Sequence, residues 1–273
     1  MTTQNRRPVL RCALSNAAHP EYGQVTVPFP IPAQEYERTL ELLAAMELGN
    51  PLERDCRLDE LESGFPILKR LEKVGINLDE LDYLARRLDS FDSYEAAQFQ
   101  AMAVRLGTFD MTDFINLTFC CQQATVITDF SDLEAVGRRH VLTASGGHMP
   151  VDELAQVDGR KEALKLILNG QGAVTPYGVA YDNGKELEQL YREGGPFPEY
   201  VDRQYSMLLE ASAGEGQSTL LLLPDSQARL ERLLGRAGIQ YSSQVRFRVV
   251  DNTLPGAVFN SIPVEHLPIL GLN

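Results

Sequence analysis

The chain has 273 residues, 44% of them apolar and 23% charged, with a formal net charge of −13 at pH 7. This is the composition of a globular protein that can bury a sizeable core. The longest apolar run, about residues 220–223, is far shorter than a membrane span, and Arg11 and Cys12 interrupt the apolar stretch that a secretion signal would need. The acidic balance and the lack of a basic stripe exclude direct nucleic-acid binding.

The first segment, residues 1–76, is predicted to be an α/β module. Alternating apolar and polar residues predict strands over 9–16 and 23–29, and apolar residues at spacings of three and four predict a helix over about 33–46. A third short strand is predicted near Cys56.

Residues 77–122 are predicted to form a helical, acidic module. Asn77 as a cap, with Glu80 at the third helical position, marks the start of its first helix. Two more helices are predicted over 93–106 and 112–121 from their apolar periodicity.

Residues 123–195 are predicted to form a second α/β module. A helix is predicted from residue 129 to 136, ended by Gly137, and a longer one over 151–169. A strand over 174–181 completes the module.

A linker at 194–198 precedes residues 203–273, which are predicted to be an apparently incomplete second copy of the opening module. The evidence is a strand pattern that recurs 194 residues later, with Thr219, Leu221 and Leu223 in the places of Val25, Val27 and Phe29. Together the modules predict an α+β fold: an elongated, multi-module protein with small antiparallel sheets, helices and a central helical module.

The chain lacks a recognisable catalytic constellation. Its four histidines show no helical pairing with other ligand types, and its four cysteines have no CxxC spacing, so they are predicted to be reduced, partly buried thiols. We therefore expect no catalytic residues, no cofactor and no metal. The competing hypothesis of a small-molecule enzyme or ligand-binding module predicts a deep pocket near residues 145–148 or 170–177.

Negative charge is concentrated between residues 32 and 134, where 21 acidic and 9 basic residues account for −12 of the net −13. Such a segment repels nucleic acid and attracts proteins that bind nucleic acid. A solvated acidic surface without a partner is the simpler interpretation of the charge alone.

The acids also recur at helical spacings of three and four, which places neighbouring carboxylates about 5–6 Å apart on a helix. That separation is comparable to the spacing of phosphates along a DNA strand, roughly 3.4 Å of rise per charge. Capping also explains acids at helix starts, notably Asp79, Asp110 and Asp129. The predicted partner-binding acidic surface comprises Glu37, Glu41, Asp55, Asp59, Glu62, Asp79, Glu80, Asp82, Asp89, Asp92, Glu95, Asp110, Asp113, Asp129 and Asp132.

Four extended segments resemble a known family. They are HPEYGQVTVPFPIP (19–32), NLDELDYLARRLDSF (77–91), DFINLTFCCQQATVITDFSDLEAVGRRHV (113–141) and VDGRKEALKLILNGQGAVTPYGVAYDNG (157–184). The chain resembles the ArdA antirestriction proteins, in particular the longer versions encoded on mobile genetic elements of gut Firmicutes. The segment at 157–184 departs from the family pattern, because it lacks the usual tyrosine and carries Lys161 and Lys165.

The resemblance implies a non-enzymatic, acidic DNA mimic that inhibits type I restriction–modification enzymes by occupying their DNA-binding channel. It also implies a possible homodimer. The cysteine usage and the interrupted N-terminal apolar stretch predict a cytoplasmic location. The alternative anti-defence hypothesis is an inhibitor of another defence nuclease, such as a CRISPR effector, bound through the C-terminal module. No direct nucleic-acid or membrane partner is expected under either hypothesis.

Overall fold

The computed structural model describes residues 8–184, 188–201, 204–213, 217–239 and 245–254. Over these residues the chain is an α+β protein with three small antiparallel sheets. Its strands and helices in chain order are β1 (Leu10–Asn16), β2 (Gln24–Phe29), α1 (Tyr36–Ala44), β3 (Cys56–Ser63), β4 (Gly75–Ile76), α2 (Leu78–Asp89), α3 (Ser93–Leu106), α4 (Met111–Cys120), β5 (Thr125–Ile127), α5 (Leu133–Ala144), α6 (Val151–Gln156), α7 (Gly159–Asn169), β6 (Ala173–Thr175), β7 (Gly178–Tyr181), β8 (Met207–Ser212), β9 (Ser218–Leu223), α8 (Gln227–Arg236) and β10 (Arg246–Asn252).

The chain divides into two compact units. The first unit comprises the described residues up to 62, those from 72 to 86 and those from 191 onward. The second unit comprises the described residues of 63–71 and 87–190. The boundaries of the four modules predicted from the sequence differ from these, because the predicted helical module is divided at residue 86.

The first sheet of the first unit has the strand order β2-β1-β3-β4. Strands β1 and β2 pair antiparallel, with Leu10 opposite Phe29 and Leu14 opposite Val25. Leu10, Cys12 and Leu14 are fully buried on one face of β1 while Arg11 is exposed, which is the alternation of a strand with one covered face. The strands predicted over 9–16 and 23–29 are confirmed to within one residue at each end, and the third strand predicted near Cys56 is β3.

The second sheet of the first unit has the order β9-β8-β10, the same arrangement as β2-β1-β3 in the first. Strand β9 begins and ends 194 residues after β2, and each strand is followed by a helix. The apolar face of α8 packs Leu230 and Leu234 against Leu209 and Leu221 of the sheet. Residues 255–273 of the predicted second copy lie outside the described residues.

Aromatic side chains fill the core of the second unit. Phe99 is fully buried, and its ring centroid lies 5.9 Å from that of Phe114 and 6.1 Å from those of Phe65 and Phe91. Such pairs contribute roughly 0.5–1.5 kcal/mol each beyond the area they bury. Phe99 belongs to α3, whose bounds are those predicted from the sequence.

Helix α5 differs from its prediction. Gly137 was expected to end this helix, but α5 begins at Leu133 and continues through Gly137 to Ala144. The glycine is buried where α5 crosses α7, and its missing side chain serves close packing rather than helix termination.

Two other predicted elements are each divided in two. The helix predicted over 151–169 is interrupted at Val157 and Asp158, because Val157 is extended and the Asp158 side chain accepts a hydrogen bond from Lys161 N to start α7. The strand predicted over 174–181 is a hairpin, in which β6 and β7 pair antiparallel. No helix in the described ranges has the length and apolarity to span a bilayer.

The segment predicted to be a linker packs within the first unit. The Phe197 ring stacks on Tyr83 with centroids 4.3 Å apart, and it lies 5.4 Å from the fully buried Tyr191 ring. The Tyr83 hydroxyl donates to the Pro198 carbonyl at 2.9 Å. These contacts fix residues 191–198 beside the first half of α2.

Candidate interaction surface

The start of α2 is organised by Asn77. Its Oδ1 accepts hydrogen bonds from the backbone N–H groups of Asp79 and Glu80, each at 3.1 Å. Its Nδ2 donates to the carbonyls of Asn50, Pro51 and Glu53 at 2.8–3.1 Å. The predicted cap is confirmed, and Asn77 also joins the helix start to the loop before β3.

Asp79 is buried against α8. Its Oδ1 accepts a hydrogen bond from Arg232 Nε at 2.8 Å, and Arg232 Nη1 donates to the Gly49 carbonyl at 2.7 Å. Burial raises the pKa of Asp79, and the charges of Arg232 and Arg236 oppose that rise. The carboxyl therefore faces arginines instead of solvent.

Glu80 is only 1% exposed and lies beside Arg236 and Tyr191. Its Oε1 accepts from the Tyr191 hydroxyl at 2.7 Å and lies 3.5 Å from Arg236 Nη2. Arg236 Nη1 donates to the Pro51 carbonyl at 2.6 Å and to Asn77 Oδ1 at 3.0 Å. Because its side chain points to Arg236, Glu80 does not accept a hydrogen bond from the backbone N–H of Asn77, which a complete capping box would require.

Asp82 completes this buried group. Its Oδ1 accepts from the Ile31 backbone N–H at 2.7 Å, and its Oδ2 pairs with Arg86 and lies 3.6 Å from Arg229 Nη2. The Arg229 guanidinium carbon lies 4.1 Å from the centre of the Tyr36 ring. We call Asp79, Glu80, Asp82, Arg229, Arg232 and Arg236 the α2–α8 charge network.

The prediction that Asp79, Glu80 and Asp82 lie on an exposed acidic surface is wrong. The physical reason is that α8 presents three arginines at spacings of three and four, which place them on one helical face against the start of α2. The spacing of Arg229, Arg232 and Arg236 was a sequence signal for a positively charged helical face. It does not identify the acids that pair with this face, since they lie about 150 residues earlier in the chain.

The other predicted acids of the first unit keep some exposure. Glu37, Glu41 and Glu62 are exposed. Asp55 is half-buried and accepts from the Asn50 N–H at 2.7 Å. Asp59, also half-buried, lies 3.3 Å from Arg57 Nε and 3.9 Å from Lys73 Nζ, so it is partly neutralised within the unit.

Three exposed acids of the second unit start helices. Asp92 Oδ1 accepts from the N–H groups of Tyr94 and Glu95, each at 2.8 Å, and Glu95 Oε2 accepts from Asp92 N at 3.0 Å, a complete capping box. Asp110 Oδ1 accepts from Asp113 N at 2.8 Å, and Asp132 Oδ1 from Ala135 N at 2.9 Å. The predicted capping role of Asp110 is confirmed.

The remaining predicted acids serve other contacts or face solvent. Asp129 was expected to cap a helix but instead binds the N–H and hydroxyl of Ser131, both at 2.8 Å, which lowers its pKa. Asp89 and Asp113 are half-buried, and burial raises the pKa of Asp113. The second unit therefore carries a set of partly or fully exposed acids: Asp89, Asp92, Glu95, Asp110, Asp113, Asp129 and Asp132.

A cavity of about 170 Å³ lies in the second unit between β5, the start of α5 and Tyr94, and its lining includes no residue of the loops at 145–148 and 170–177. Arg139 stacks over the Tyr94 ring at 4.3 Å on one side of it. Among the described residues no group of three or more metal-ligating side chains comes together.

Fold and surface define a class, an α+β protein of small antiparallel sheets with acids at several helix starts. No protein-family model matches the chain, and no curated protein is significantly similar to it.

Proposed function

We propose that the protein is a non-enzymatic antirestriction protein, an acidic DNA mimic that competes with DNA for the binding channel of a type I restriction–modification enzyme. The proposal places it in the cytoplasm, where such an enzyme meets incoming DNA. Burial of Asp79, Glu80 and Asp82 narrows the mimicking surface to the twelve other candidate acids. Neutralising those three acids would therefore be a poor test of mimicry, because it would disrupt the first unit as well as remove charge.

The observation that carries the proposal is the way the second unit holds Asp92, Asp110 and Asp132. Each is exposed, and each uses Oδ1 to bind the first turn of a helix, while its Oδ2 makes no hydrogen bond within the described ranges. Capping fixes the side-chain rotamer, so these carboxylates lose little further freedom when a partner's lysine or arginine binds them. Fixed negative charges are what a phosphate-binding groove is built to receive.

The test is competition for a purified type I restriction–modification enzyme and labelled duplex DNA, with this protein added at two salt concentrations. Displacement that weakens steeply with salt supports charge mimicry, because salt screens contacts to the enzyme's basic side chains. Failure to displace DNA at low salt would refute the proposal for that enzyme.

A variant pair sharpens the assay. The triple change D92N/D110N/D132N removes three charges and keeps the helix caps, since Asn caps as well as Asp. It should raise the concentration for half displacement by about tenfold or more. The matched control E199Q/E231Q/D251N also removes three exposed charges, from the last part of the first unit. A larger effect of the control would contradict the proposal and favour binding through the C-terminal segment to another nuclease.

A further inference from the structure

A small cavity in the first unit lies among α1, α2 and α8. Its volume is about 30 Å³, and its walls include four arginines and two acids: Arg86, Arg229, Arg232, Arg236, Asp79 and Asp82. A space of this size holds one or two water molecules or one monatomic ion. Its lining is strongly charged although nothing in the proposed function uses it.

Three arginines in the cavity wall have buried donors that the protein does not satisfy. Arg229 Nε, Arg232 Nη2 and Arg236 Nε are inaccessible to solvent and have no hydrogen-bond partner among the described residues. The side chains of Arg229 and Arg236 are 7% and 1% exposed. Buried donors on charged groups are costly to leave unpaired, and such atoms commonly mark a bound water or ion.

The number and sign of these groups favour an anion over water. Three residues of the wall carry such a donor. Satisfying three donors takes two water molecules, because a water oxygen accepts two hydrogen bonds, whereas a single halide can accept all three. The only partnerless acceptor atom in the wall, among the described residues, is Asp79 Oδ2. When Asp79 is protonated it becomes a fourth donor, and the four guanidinium groups of the wall then exceed by one the buried carboxylates that pair with them, those of Asp82, Glu80 and Asp225.

We propose that this cavity binds a monatomic anion, chloride under ordinary conditions, through Arg229, Arg232 and Arg236, together with a proton on Asp79. The groups that face Asp79 are Arg232 and the Tyr36 hydroxyl at 2.8 and 3.5 Å, with Arg236 and Asp82 acting through their charges. Burial raises the pKa of Asp79 and so favours the protonated form. Anion binding therefore tightens as the pH falls.

The first test is a crystal grown or soaked in bromide and measured at the bromide absorption edge, combined with thermal unfolding in chloride and in gluconate at equal ionic strength. We expect an anomalous peak in the cavity. We also expect a Tm higher by a few degrees in chloride, and a larger difference at low pH than at high pH. Equal Tm values in the two salts and a cavity without a bromide peak would overturn the proposal and assign the donors to water.

Variants separate anion binding from general electrostatics. Asp79→Asn supplies a neutral donor at every pH, so its chloride effect should be the same at low and at high pH. Arg232→Gln should remove the effect, and if that variant fails to fold, Asp79→Asn and the bromide peak of the unmodified protein decide. The control Arg248→Gln alters an exposed arginine paired with Glu210 and should keep the full effect. A wild-type pH dependence in Asp79→Asn would contradict the proposal, as would loss of the chloride effect in the control.

Discussion

A Cβ atom placed on Gly137 would lie 1.7 Å from the carbonyl oxygen of Gly159, so the backbones of α5 and α7 cross almost in contact. The crossing also brings Glu134 to the start of α7, where its two carboxylate oxygens accept from Gly159 N at 3.2 Å and Arg160 N at 2.9 Å. Two glycines and one acid thus hold the two helices together in the second unit.

Gly137→Ala should therefore destabilise the second unit. The added methyl group meets backbone that cannot move without separating the helices, and we expect a loss of at least about 2–3 kcal/mol in the free energy of unfolding. Urea denaturation measures it. The control Gly64→Ala adds a methyl group where no atom lies within 4 Å and should change little. Similar stability of the two variants would show that the crossing relaxes freely.

Arg236→Met tests the α2–α8 charge network. It leaves the buried Glu80 without its cation, and removal of one partner from a buried ion pair costs about 3–5 kcal/mol. Arg248→Met is the control, because Arg248 is 69% exposed and an exposed pair contributes little. The double variant E80Q/R236M should recover part of the loss, since no uncompensated charge remains. If the loss of stability in the double variant equals the sum of the losses in the two single variants, the two residues do not interact.

The cysteines should be unreactive in the native protein. Burial raises the pKa of Cys12 from 9.0 to about 12 and raises those of Cys56 and Cys121, so little reactive thiolate forms. Near pH 8, Ellman's reagent should label all four thiols in urea and none rapidly without it.

The raised thiol pKa values also predict that the stability of the protein depends on pH. Above the usual thiol pKa of 9.0, an unfolded Cys12 ionises while the native one keeps its proton, so stability should fall as the pH rises through about 9. Urea midpoints on both sides of that pH measure the change, and Cys12→Ala should reduce it. A midpoint that rises with pH would contradict the assignment.

Elements with local start and stop signals were predictable from the sequence. Helix α3 begins at the Asp92–Glu95 capping box and ends at Gly107 in a left-handed conformation, and its predicted bounds match. The bounds of helix α5 were not predictable, because Gly137 resembles a stop signal. Only the α7 backbone packed against it explains a glycine inside the helix.

The sequence by itself determined the α+β composition, strands β1, β2 and β3 of the first sheet, the Asn77 cap and the concentration of acids, since each depends on residues close together in the chain. It could not decide which acids face solvent. Asp79 and Asp92 both stand at the start of a helix in the same acidic segment, yet one is buried against Arg232 and the other is exposed. Only the tertiary structure decided this, because the free energy of a carboxylate depends on solvent and on cations brought near it by folding.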